Sequence, residues 1–173
     1  MQTFLISDTH FSHANICKFK TNDGLPLRPF TSADEMDEHM IQAWNSVVGS
    51  KDKVYHLGDI AMCNVTKFRT IMSRLNGEKV LIKGNHDNLK LSAYAEFFKD
   101  VRACHSLDNL LLTHIPIHTE SLARWRGNIH GHLHSNRVLA NSGEIDIRYF
   151  SVCAEVINYV PIAFDKVNKV FQA

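Results

Sequence analysis

Five times in this chain a short apolar run stops and hands over to Asp, Asn or His. The clearest case is Lys79-Val-Leu-Ile-Lys-Gly-Asn-His-Asp87, where Val80, Leu81 and Ile82 run up to Gly84 and three polar side chains follow. An apolar run this short, closed by glycine, reads as a buried strand that delivers polar residues to a turn at its carboxyl end. Open α/β sheets build their sites beyond the carboxyl ends of strands. The same pattern recurs where Thr3–Ile6 leads into Ser7-Asp8-Thr9-His10 and where Val54–Leu57 leads into Gly58-Asp59. It recurs again where Leu110–Thr113 ends at His114 and where Asn128-Ile-His130 leads into Gly131-His-Leu-His134.

The intervening sequence fits one α/β domain spanning residues 1–173. Residues 11–31 form a long irregular loop, a length that is uncommon without a functional reason. Ser32-Ala-Asp-Glu35 is a capping box that opens a helix with Met36, Met40, Ile41, Trp44, Val47 and Val48 on its apolar face and Gly49 at its end. Further helices are expected over 65–75 and around 90–99. Val101–Cys104 and Leu110–Thr113 read as strands joined by a turn at Asp108-Asn109, and 115–127 as a polar loop. Strands are expected near 137–140 and 144–156, with a last strand and short helix in 160–171.

Composition narrows the class. A hydrophobic fraction of 45% and a charged fraction of 21% in 173 residues are those of a globular protein with a proper core. A formal net charge of +1 provides no field for bulk binding to nucleic acid or membranes. No run approaches a transmembrane span, and the amino-terminal Phe4-Leu5-Ile6 lacks the length and basic flank of a signal peptide. Cys17, Cys63, Cys104 and Cys153 form no C-x-x-C pair and read as reduced thiols of a cytoplasmic protein. The unusual number is 11 histidines, about half of them directly after strand-like runs.

Together the strand-end residues are Asp8, His10, Asp59, Asn85, His86, His114, His132 and His134. Imidazole, carboxylate and one amide oxygen suit borderline divalent ions such as Mn, Fe, Zn, Co or Ni, whereas Ca and Mg want mostly oxygen. Seven ligands are too many for one tetrahedral ion and fit two ions sharing a carboxylate. Two aspartates against two divalent ions leave the site net positive even with a bridging hydroxide, which favours a phosphate ester. Paired metals of this kind activate water and clamp the oxygens of an in-line displacement.

Asp8-Thr-His10, Gly58-Asp59, Gly84-Asn-His-Asp87, His114 and Gly131-His-Leu-His134 resemble, in order, the five motifs of the calcineurin-like metallophosphoesterase superfamily. The longer forms Ser7-Asp-Thr-His-Phe-Ser-His13, Arg28-Pro-Phe30, Val54-Tyr-His-Leu-Gly-Asp59 and Val160-Pro-Ile162 are similar to those of its compact bacterial and phage branch. The resemblance implies a four-layer α/β/β/α sandwich. It implies that Asp8, His10 and His134 bind one metal, that Asn85, His114 and His132 bind a second, and that Asp59 bridges both, with manganese the leading candidate ion. His86 is then not a ligand. On an extended backbone it faces away from Asn85, toward substrate, where it would donate to the phosphoryl group or the leaving oxygen. Asp87 would either orient His86 or cap the next helix.

Around these, His13 is expected at the mouth of the site in contact with substrate, and Arg28 as a phosphate clamp through its planar fork. His118 and Arg126 would line the cleft. His56 is expected in the core or behind the ligands, and Cys63 as a small buried hydrophobe. Met62 and Cys63 occupy the positions where protein Ser/Thr phosphatases of the superfamily carry an Asp-Arg pair, which argues against that activity. The expected function is hydrolysis of a phosphodiester, such as a cyclic nucleotide or an RNA end, by attack of a metal-bridging hydroxide. A phosphomonoesterase with the same site, or a metal-bound scaffold without turnover, are the alternatives.

Overall fold

Apolar alternation in three short strands decides which side each layer packs on. The computed structural model describes residues 1–172. Strand β1 (Thr3–Ile6) lies parallel to β2 (Lys53–His56), which pairs with β3 (Glu78–Ile82), which pairs with β4 (Phe98–Arg102). On one face Phe4, Ile6, Val54 and Leu81 pack against helices α1 (Ala33–Val47) and α2 (Val65–Met72) through Met36, Met40, Trp44, Phe68 and Ile71. On the other face Leu5, Tyr55 and Val80 meet Leu110, Leu112 and Ile129 of a second sheet. That sheet runs β5 (Cys104–Leu107), β6 (Leu110–Thr113), β7 (Gly127–His130), β8 (Tyr149–Ser151), with β5 antiparallel and the rest parallel. The short β9 (Ile162–Ala163) adds antiparallel to β1, and α4 (Phe164–Val170) buries Phe164 and Val167 in the core between the sheets. The fold is therefore α/β with two mixed sheets face to face. The outer side of the second sheet is covered thinly, by residues 115–126 with a 3-10 turn at Thr119–Arg124. Asn128 and Tyr149 on that side bond to Ile117 of this segment.

The two sheets join at their carboxyl ends. Ser7, just past β1, donates its N–H to Val152 O at 2.8 Å, and Ala154 N donates back to Ser7 O at 2.9 Å. All five candidate strand ends therefore open at one edge, and the site draws on both sheets.

Several boundaries differ from the sequence reading. Val101–Cys104 is not one strand: it splits at Ala103, where the chain leaves β4 and enters β5 in the other sheet. The turn at Asp108-Asn109 is present, with both residues at positive φ (48° and 59°) as a tight hairpin demands. The helix expected around 90–99 is only α3 (Leu91–Ala95). Of the strands expected in 137–156, only β8 and a single bridge between Leu139 and Ile145 form. There Asp146 accepts from the Arg148 backbone and guanidinium, closing a local turn, and Leu139, Ile145 and Ile147 stay exposed, so the short pairing around the bridge gains no apolar burial to extend it. Val47, expected on the buried face of α1, is 38% exposed at the helix end. All four cysteines are free. No helix among the described residues is long and apolar enough to cross a membrane.

Candidate metal centre

Two groups of donor atoms converge at the shared edge. Ligand atoms of Asp8, His10 and His134 lie within 4.8 Å of one another, and so do those of Asp59, His114 and His132. Asp59 Oδ2 stands 3.6 Å from His10 Nε2 in the first group and 3.5 Å from His114 Nε2 in the second. Asn85 Oδ1 is 2.9 Å from His114 Nε2. The separations of His10 Nε2 and His134 Nε2 from Asp8 Oδ1, 3.7 Å and 4.0 Å, are too long for hydrogen bonds. They are close to what a shared ion requires, since two donors about 2.1 Å from one metal lie roughly 3–3.5 Å apart. Asp8 Oδ1 and both ring nitrogens of His10 are buried with no hydrogen-bond partner. Orphaned buried polar atoms are rare and costly, and an ion between Asp8 Oδ1 and His10 Nε2 accounts for two of the three, while the lone pair on the far ring nitrogen, Nδ1, points away from it. The residues present therefore fit a pair of borderline divalent ions.

The backbone adopts an unusual conformation to bring them there. Among the described residues, ten non-glycine positions have positive φ, and five are candidate ligands: Asp8 (55°), His10 (48°), Asp59 (57°), His132 (69°) and His134 (52°). Left-handed conformations cost about 1 kcal/mol or more each and cluster at functional sites. Extended backbone, on which residues two apart face the same way, is thus not what brings the side chains of Asp8-Thr-His10 together. The chain curls after β1 while Asp8 N and His10 N still donate to Gly58 O and Asp59 O, at 2.9 Å and 3.0 Å. Asn85-His86, expected to be extended, form a turn instead. Gly58, at φ 90°, lies so close that a Cβ there would stand 2.5 Å from Gly84 N and 2.8 Å from His114 Nδ1. A Cβ at Gly131 would collide with Ser7 Oγ and Asp8 Oδ2.

A second layer aims the donors. Asp8 Oδ2 accepts from Ser7 Oγ at 2.5 Å, from His132 N at 2.9 Å and from the Cys153 thiol at 3.3 Å, leaving Oδ1 free. His114 Nδ1 lies 2.7 Å from Leu57 O, and His134 Nδ1 lies 2.6 Å from Glu155 Oε1. Each contact places a proton on Nδ1 and directs Nε2 inward, the usual way in which an outer partner sets a ligand tautomer. Burial opposes ionisation of Asp8, but His10, His114 and His134 outweigh it and hold the carboxyl well below the usual range. Burial likewise disfavours charge on His114 and His134, but Asp59 in one case and Glu155 in the other raise their pKa values. His132 goes the other way, its pKa lowered by burial, so the histidines that favour positive charge are His114 and His134.

Glu155 was invisible in the sequence, where it follows β8 in no recognisable spacing. Its partner explains Arg28. That residue, expected to clamp a phosphate, is fully buried. Its guanidinium donates to Glu155 Oε2 at 2.8 Å, to Asp8 O at 2.5 Å and to Thr9 O at 2.8 Å. Arg28 is a strut beneath the site, and its one unpartnered donor, Nε, is sealed from solvent and so from a substrate. Asp87 is also corrected. It neither orients His86 nor caps α3, whose cap position is Lys90. Completely buried, its carboxylate accepts from Asp59 N (2.9 Å), Ile60 N (2.9 Å) and Gly84 N (2.8 Å), tying the turn after β2 to the turn after β3. Arg126 is turned from the cleft toward Asp108 O and Asn168, and His118 caps the 3-10 turn at Thr119.

His86 and His13 do lie beside the donors. The ring of His86 is 5.7 Å from that of His10, in a solvent-exposed turn, and its backbone N–H donates to Asp59 Oδ1 at 2.7 Å. The ring of His13 is 5.5 Å from that of His10. Cys63 packs against the helical core with its thiol pKa pushed up by burial, in the hydrophobic role expected of it.

His56 lies behind the site, 1% exposed, with Nδ1 accepting from Gly58 N (3.2 Å) and Nε2 against Thr9 Oγ1 (2.9 Å). Burial lowers its pKa to about 3. Its folded pKa is below the unfolded one, so the unfolded chain takes up the proton first. The contribution of neutral His56 is whole above about pH 6.5 and is lost as pH falls toward 3, at about 1.4 kcal/mol per pH unit. Denaturation midpoints followed from pH 6.5 to 4 should show a His56→Gln variant with a slope shallower by about one proton. Equal slopes would mean that His56 is charged in the folded protein.

The chain has counterparts among known proteins. A model of the calcineurin-like phosphoesterase superfamily domain matches residues 1–150. The chain is 37% identical to the uncharacterised protein MJ1445 of Methanocaldococcus jannaschii, covering 98% of this chain and 90% of that protein. It is 27% identical to the Gene 66 protein of Mycobacterium phage L5, over 80% of each. Among solved structures, the protein of unknown function AQ665 from Aquifex aeolicus superposes with a TM-score of 0.74 at 25% identity, covering 98% of both chains.

Proposed function

The chain belongs to the calcineurin-like phosphoesterase superfamily, and on that premise we propose that it is a cytoplasmic phosphodiesterase dependent on two divalent transition-metal ions, manganese the leading candidate. The observation that carries this reading is the single oxygen of Asp59 standing 3.6 Å and 3.5 Å from donors of two separate groups. In this reading Asp8, His10 and His134 hold one ion, Asn85, His114 and His132 hold the other, and Asp59 belongs to both. When bound, such a pair supplies activated water and takes up charge on the phosphoryl oxygens.

The protein's own groups do the rest. His86 is exposed and free of side-chain partners, so its ring can donate to a phosphoryl or leaving oxygen. Because its N–H is held by Asp59 Oδ1, its position is tied to the carboxylate shared by both groups. Two cavities flank the site. One of about 400 Å³ borders Asn85 and His114, and one of about 300 Å³ borders His132 and His134. A phosphorus atom between them has room for a substituent on each side, which a diester has and a monoester lacks. The burial of Arg28 removes the cation best suited to a monoester's second charge. A larger cavity of about 680 Å³ near Val47, Phe150 and Pro161 contains none of the candidate ligands. The complete donor set weighs against a scaffold without turnover.

The direct test is turnover of aryl phosphodiesters and monoesters by manganese-loaded protein of measured metal content. Hydrolysis of neither, with two ions bound, overturns the proposal. His86→Ala should keep its metal content and lose about 10²–10⁴-fold in kcat. Full activity in that variant would remove His86 from the mechanism.

A further inference from the structure

The 300 Å³ cavity beside His134 has a construction that the metal site does not require. Residues 19–27 form a small hydrogen-bonded loop: Thr21 N donates to Leu25 O, Leu27 N to Phe19 O, and Lys20 bridges Pro26. The loop is tied across the cavity by Asn22 Nδ2 donating to Asn136 Oδ1 at 3.2 Å. Phe19 lines this cavity and is 49% exposed. Its ring lies 5.8 Å from that of His13, edge-on, and His13 in turn lies 5.5 Å from the ring of His10. A half-exposed aromatic face therefore sits two rings away from the donor atoms, in a wall shared with His132 and His134.

Resting on the phosphodiesterase reading above, we propose that this cavity is a nucleoside subsite and that the substrate is a nucleoside phosphodiester with its base against Phe19. The surroundings select that class. The cavity wall is mixed: Phe19, Leu27 and Leu133 offer apolar surface for a flat ring, and Lys20, Asn22 and Asn136 offer polar groups that a purely aliphatic substituent would leave unpaired. The bond between the two amides uses one donor of Asn22 and the acceptor of Asn136. This leaves the acceptor of Asn22 and the donors of Asn136 unused by the bond, a mixed set of the kind that the donor and acceptor edge of a base can engage. Lys20 adds a cation suited to a neighbouring phosphate. The volume lies at the lower end of the range for small-ligand pockets, and a flat ring stacked on an aromatic side chain is the sequence-tolerant mode of base recognition.

The test compares two esters with one leaving group, thymidine 5′-(p-nitrophenyl phosphate) and methyl p-nitrophenyl phosphate, on metal-loaded protein. The kcat/KM ratio should favour the nucleoside ester by about 10-fold or more. In Phe19→Ala that ratio should collapse by about 10-fold, mainly through KM, and Phe19→Trp should restore it. A wild-type ratio near one, or a ratio indifferent to Phe19→Ala, overturns the subsite. Equilibrium titration with thymidine 5′-monophosphate against methyl phosphate reads the same preference without turnover. If neither ester is hydrolysed, the phosphodiesterase reading fails. The titration then decides the subsite by itself: selective binding lost in Phe19→Ala upholds it, and equal binding of the two phosphates overturns it.

Discussion

Asp59→Asn should release metal from both donor groups and lower turnover by about 10³-fold or more, because activated water and charge neutralisation are lost together. The substitution changes one atom in a side chain that is 2% exposed. If the amide keeps its oxygen at Oδ1 to accept from His86 N, its NH₂ occupies the Oδ2 position. A donor then points at His10 Nε2 and His114 Nε2, at 3.6 Å and 3.5 Å, where a lone pair is needed. Reversing the amide restores one oxygen to the site but sets an NH₂ against the N–H of His86. Either way a negative charge is removed from a pocket that gathers cations. Metal analysis after dialysis, beside turnover, checks this. Retention of two ions with wild-type activity would show that Asp59 is not shared.

Asp87→Ala should be the most destabilising single change at the site, about 3–5 kcal/mol. Three backbone N–H groups, those of Asp59, Ile60 and Gly84, lose their acceptor at a position with no access to water. Each orphaned donor costs about 1–3 kcal/mol. Relief of burying a carboxylate, whose pKa is raised by that burial, offsets part of the sum. Asp87→Asn, with its oxygen at the Oδ2 position, keeps the bonds to Asp59 and Gly84 and should lose only about 1–2 kcal/mol. Urea denaturation of the metal-free proteins separates the two, and an alanine variant as stable as wild type would mean that water or another group satisfies these donors. Metal affinity should fall in parallel, since the turns carrying Asp59 and Asn85 are held together by this carboxylate.

Much of the architecture was legible because period and position carry it. Thr3–Ile6 and Leu110–Thr113 were recognisable as apolar runs with abrupt ends, and Ser32-Ala-Asp-Glu35 as a helix start, with Ser32 Oγ accepting from Glu35 N at 3.1 Å. The 137–156 region misled because Leu139, Ile145 and Ile147 have the strand period without a core to bury them, and pairing stops at one bridge. Val101–Cys104 misled because a run of strand-forming residues does not record which sheet it joins.

The donor types and their places after strands were determined by the sequence alone, since a run of apolar residues followed by Asp or His specifies a local event. Only the tertiary structure decided that Asp8, His10, Asp59, His132 and His134 reach the site through left-handed backbone, a choice set by pairing with neighbouring strand ends. It also decided what Arg28, Asp87 and Glu155 do. Each is a charged residue whose type suits catalysis as well as support. The difference lies in which partners surround it, and Arg28 meets Glu155 across 127 residues of chain. No local pattern encodes a contact of that range, because it exists only once both sheets have folded and closed over it.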